Sequence, residues 1–79
     1  MSQISRPARF GQAIDKVVEA KTEVEMLRDE LQEWLDNMPD NLQSSLKADQ
    51  LQEAIDELDN CFNSLEEAET TEVIFPSMF

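Results

Sequence analysis

The chain has no histidine and no tyrosine, and a single cysteine, glycine and tryptophan among 79 residues. Each shortage excludes something. Without histidine there is no zinc-finger ligand pattern and no imidazole to serve as a general base. One cysteine, Cys61, rules out a disulfide framework. Gly11 stands alone, so no glycine-rich loop can cradle a phosphate. No run approaches the roughly 18 apolar residues that a membrane span needs. The start, MSQISRPARF, has arginines without an apolar stretch behind them, unlike a secretory signal. A cytoplasmic location with Cys61 reduced is therefore expected.

Cations are the other shortage. Eighteen Asp and Glu stand against six Lys and Arg, a net charge of −12. The imbalance is uneven. Residues 1–28 carry five basic and four acidic side chains, net +1, whereas residues 29–79 carry Lys47 and fourteen acids, net −13. Such a chain repels nucleic acid and anionic membranes and attracts basic surfaces. Arg6, Arg9, Lys16 and Lys21 are too few for a nucleic-acid-binding stripe. A chain of this length is one domain and buries only about 60% of its unfolded surface. Self-association is the expected staple for so thin a core.

What is present is a helical period. Apolar residues recur at Phe10, Ala13, Val17, Ala20, Val24, Leu27, Leu31, Trp34 and Met38, in alternating steps of three and four. This is a heptad seam. Pro7 suits a first turn, with Ser5 or Arg6 near the cap. The spacing predicts a flexible arm at 1–7 and a helix at 8–37. Pro39 then disfavours helical geometry at Met38 and opens a turn over 38–44. Asp40 followed by Gln43 can cap one short turn there. Ser44 or Ser45 caps a second helix at 45–69. Its seam runs Ala48, Leu51, Ile55, Leu58, Phe62 and Leu65. A short connection makes the helices antiparallel. The predicted fold is an all-α, coiled-coil-like two-helix hairpin, with Leu27, Leu31, Trp34, Leu51, Ile55, Leu58 and Phe62 as its core and Trp34 meeting Ala48 and Leu51. Ile14, Val18 and Leu35, with Ala54, Cys61 and Ala68, form a surplus apolar stripe that a second copy would cover as a helical bundle. Cys61 reads as a small core residue.

The ending changes character. Thr70 to Phe79 is poor helix material, and Val73, Ile74, Phe75, Met78 and Phe79 are apolar. Such a tail either packs back on the hairpin or reaches into a groove on another chain. Val73, Ile74, Phe75 and Phe79 are thus candidate partner-binding residues.

No catalytic constellation is found. Cys61 and the serines have no base to activate them. The carboxylates lack both the Glu-x-x-His pattern of di-iron bundles and the spacing of a calcium loop. The chain is read as non-enzymatic, with no cofactor and no metal. The functional candidate is the acidic row, with Glu30, Glu33, Asp36, Asp49, Glu53, Asp56 and Glu57 as the partner-binding set. A solvated surface would look similar. Yet carboxylates spaced along a rod can imitate the phosphate line of a nucleic-acid duplex.

The segments EWLDNMPDNLQSS and KADQLQEAIDELD, with FPSMF at the end, resemble small acidic helical proteins of tailed bacteriophages over about residues 21–69. The resemblance implies expression in an infected bacterial cytoplasm and carries no activity with it. Two functions follow as expectations. One is an inhibitory module that occupies the basic, nucleic-acid-binding site of a host or defence protein, without touching nucleic acid or membrane itself. The other is a structural or assembly protein, a homo-oligomer joined through its apolar stripe and tail.

Overall fold

The computed structural model describes residues 5–42 and 45–76. Helix α1 spans Arg6–Asp36, a single 3-10 turn covers Asp40–Leu42, and helix α2 spans Leu46–Glu69. The helices pack antiparallel, as Lys21 beside Glu66 and Arg28 beside Asp59 show. The all-α hairpin expected from the heptads is what forms. Ser44, Gln43 and Phe79 lie outside the described residues.

The helix ends have local causes. Ser5 caps α1, its hydroxyl accepting from the Ala8 N–H at 3.3 Å, and Pro7 lies in the first turn. This starts α1 two residues earlier than the period alone predicts, on residues read as part of the arm. Asn37 ends it: its N–H donates to Glu33, and the Met38 N–H donates to Leu35. Ser45 caps α2 by accepting from the Ala48 N–H at 3.3 Å. Caps of this kind contribute about 1 kcal/mol each.

The hairpin measures 68 × 22 × 13 Å, with a Cα radius of gyration of 19.0 Å. A compact chain of this length would have a radius of about 12 Å. The least dimension is close to the roughly 10–12 Å diameter of one helix with its side chains. The fold is therefore a single layer of two helices, and its core is a line. Among the described residues Ala48, Leu51 and Ile55 are buried, at 3%, 4% and 3% exposure. Leu58, Phe62 and Leu65 continue that line half-buried. The seam of α2 is thus the one expected.

The seam of α1 is not. Its half-buried positions include Phe10, Ile14, Val17, Lys21, Val24, Arg28, Leu31 and Leu35. The spine Phe10, Val17, Val24 and Leu31 holds, but Ile14, Lys21, Arg28 and Leu35 replace Ala13, Ala20, Leu27 and Trp34 as its alternate members. Leu27 is 45% and Trp34 51% exposed, so neither belongs to the core. The cause is pairing. Lys21 and Arg28 lay apolar stems along the seam and carry their charges to acids of α2. This rotates the helix and draws Ile14 and Leu35 in, so they are not surplus. Cys61 is exposed, not a core residue, because it flanks the α2 seam on an uncovered side.

Beyond α2 the tail folds back. The Phe75 ring meets the Phe10 ring edge-on, centroids 6.0 Å apart and planes at 61°. This cis contact covers the stretch of α1 that α2 is too short to reach.

Candidate functional site: two unlike faces of one layer

A two-helix layer has two flat faces, and the seam decides which residues each receives. Residues three to four apart share a side of a helix. On one side of the α1 seam lie Asp15, Glu25, Asp29, Gln32 and Asp36. The matching side of α2 carries Asp49, Gln52, Asp56, Asp59 and Glu66. Contacts across the hairpin show that both sets face the same way. Arg28 Nη1 donates to Asp59 Oδ1 at 3.2 Å, and Lys21 Nζ lies 4.0 Å from Glu66. An open groove of about 500 Å³ is lined by Gln32, Leu35, Asp36, Ala48, Asp49 and Gln52.

This face is acidic and only partly neutralised. Lys21 bonds to Glu69 and approaches Glu66, while Arg28 pairs with Asp29 at 2.9 Å and with Asp59. Toward the loop the compensation stops. Asp36, Asp49 and Asp56 are exposed and take no part in an ion pair. Glutamines hold two of them: Gln32 Nε2 donates to Asp36 at 2.9 Å, and Gln52 Nε2 donates to Asp56 at 3.1 Å. Each glutamine sits four residues before its aspartate. That i, i+4 spacing is readable in the sequence.

The opposite face carries Ala13, Ala20, Leu27 and Trp34 of α1 with Ala54, Cys61 and Ala68 of α2. Lys47 Nζ stands 5.9 Å over the Trp34 ring, tying the two helices together on this side. Its charged side chains are Lys47 with Glu23, Glu30 and Glu57, and Arg9 and Lys16 extend the same side of α1 beyond the end of α2.

The predicted acidic set is therefore divided. Asp36, Asp49 and Asp56 gather on the acidic face beside the groove. Glu30 and Glu57 fall at the margins of the apolar face, and Glu33 and Glu53 on the outer edges; all four are exposed. Of the tail candidates, Phe75 is half-buried on Phe10, Val73 is 45% exposed, and Ile74 is 95% exposed.

Among the described residues one titrating group is shifted. Lys21 is raised above its ordinary 10.5, first by the hydrogen bond it donates to Glu69. Partial desolvation opposes this, and the charges of Glu69, Glu66 and Glu25 add to it. The Lys21 ammonium also lies 5.4 Å over the Phe62 ring. Among the described residues no helix is long and apolar enough to cross a membrane, and no three carboxylates or thiols group as metal ligands. No family model, curated protein or solved structure matches the chain.

Proposed function

We propose that this chain is a non-enzymatic protein-binding module whose acidic face occupies a basic, nucleic-acid-binding surface on a partner protein. The observation that carries the reading is the segregation of charge. Asp36, Asp49 and Asp56, carboxylates outside the ion pairs of this face, stand together on one side of the layer, at the loop end, beside an open groove.

Folding accounts for only part of this placement: Asp49 stands in the first turn of α2, where an acid is favoured, but Asp36 ends α1. Helix N-termini favour acids and C-termini favour bases, by about 0.3–1 kcal/mol per group. Helix α1 has the reverse: no acid in its first turn and no base in its last, where Glu33 and Asp36 sit. These acids cost stability, and recognition of a basic partner gives them a use. Association through such a face is fast and weakened by salt. The resemblance to phage proteins supplies a setting, an infected cell in which a small binder disables a host or defence enzyme.

Capture from nuclease-treated bacterial lysate, read by mass spectrometry, tests this. The full chain should retain a nucleic-acid-binding protein that moderate salt releases and duplex DNA displaces. The triple variant Asp36→Asn, Asp49→Asn, Asp56→Asn should keep its helicity and lose that capture. Retention undiminished by the variant, or indifferent to DNA, would overturn the reading.

A further inference from the structure

We infer that the apolar face is covered by a second copy of this chain, docked about a two-fold axis that crosses the hairpin at Leu27 and Cys61. The inference is independent of what the acidic face binds. It starts from the surplus on each helix. A helix with one neighbour needs two apolar positions in seven, and one packed between two neighbours needs a third. Both helices carry the third, Ala20, Leu27 and Trp34 on α1 and Ala54, Cys61 and Ala68 on α2, and antiparallel packing turns both stripes to the same side. A single layer leaves them bare.

The face fits itself. Arg28 opposite Asp59 sets Leu27 and Cys61 at one level along the rod. Trp34 and Ala20 lie one heptad to either side of Leu27, and Ala54 and Ala68 one heptad to either side of Cys61. A two-fold rotation across the rod exchanges them. Trp34 then lands on Ala20 of the second copy, a large side chain over a small one, as interdigitating layers require. The area suffices. The layer is 22 Å wide, and α2 has 24 residues; at about 1.5 Å per residue this gives about 800 Å² per copy, a standard interface.

Charge selects both the face and the axis. A chain of net −12 resists meeting itself, yet over the length of α2 this face carries only Glu23, Glu30 and Glu57 against Lys47, and the surplus acids point away from it. An axis along the rod would bring the two loop ends together. Each end, residues 29–59, holds ten acids against Lys47. An axis across the rod sets those ends apart.

The test combines sedimentation, fluorescence and cross-linking on the full chain. Sedimentation equilibrium at physiological salt should give twice 9.1 kDa at high concentration. The single tryptophan, Trp34, is half exposed in the lone hairpin, so its emission should shift to the blue as concentration rises. Leu27 is also half exposed, so Leu27→Lys should keep helicity while weakening association by about a hundredfold, as for a central interface residue. A short bismaleimide should join two wild-type copies through Cys61 and fail on Leu27→Lys. Glu53→Lys, on the outer edge, should change none of these. A chain that is monomeric with invariant Trp34 emission overturns the inference. So does a dimer that Leu27→Lys leaves intact, or one that Cys61 cannot link.

Discussion

Lys21 shows how one side chain can settle a packing choice. It occupies a seam position where an aliphatic residue would be ordinary, and it makes that position work through two partners. Its stem and charge pack over Phe62, and its ammonium bonds to Glu69. The sign of the resulting pH dependence is fixed. A lysine whose pKa is raised on folding stabilises the fold fully below the unfolded value and loses that contribution as pH rises through the folded one. The hairpin should therefore weaken above about pH 10.5, the ordinary lysine value. Thermal melts of wild type and Lys21→Met across that range check it. The variant should show a smaller alkaline loss, and equal losses would mean that the bond to Glu69 contributes nothing.

At the scale of elements, α1 is the helix with the choice. Its spine is flanked by two stripes. One, Ile14, Lys21, Arg28 and Leu35, meets α2, and the other, Ala20, Leu27 and Trp34, does not. Helix α2 has no such ambiguity, since its one continuous line of large apolar residues is the line that is buried. Beyond the reach of α2, the far end of α1 is covered by the tail, through Phe75 on Phe10. Gly11 lies in that stretch, and a Cβ placed there would meet nothing within 4 Å. Glycine in a helix costs about 0.5–1 kcal/mol relative to alanine. Gly11→Ala should stabilise the chain by about that amount in urea unfolding, together with greater protection of the first turns in hydrogen exchange.

The whole molecule is a thin rod, and its thinness is what makes its faces matter. With one layer, every helix position outside the seam is surface, so the sequence must assign each face a task. Asp36, Asp49 and Asp56 go to one face, and Leu27, Trp34 and Cys61 to the other. Small-angle scattering on the Leu27→Lys variant should return a rod with a radius of gyration near 19.0 Å. A value near the roughly 12 Å of a compact domain would show that the hairpin folds up on itself. In the wild type, the antiparallel dimer should gain thickness with little gain in length.

The sequence by itself determined the helices, the turn and the buried line of α2. Those follow from local causes: serine caps, Pro39, and a three-and-four period whose apolar members have no rival on their helix. The charge asymmetry was likewise legible, since it needs only counting. The rotation of α1 was not. Ala13, Ala20, Leu27 and Trp34 look better as a seam than a stripe interrupted by Lys21 and Arg28, and hydropathy alone prefers them. Only the packed hairpin shows that Glu69 and Asp59 stand where those cations can reach them. That proximity joins residues 48 and 31 positions apart, which no local pattern encodes. From that rotation follows the arrangement of the site: which acids of α1 share a face with those of α2, why Leu27 and Trp34 are bare, and why the surplus stripe of α1 lies on the same side as that of α2.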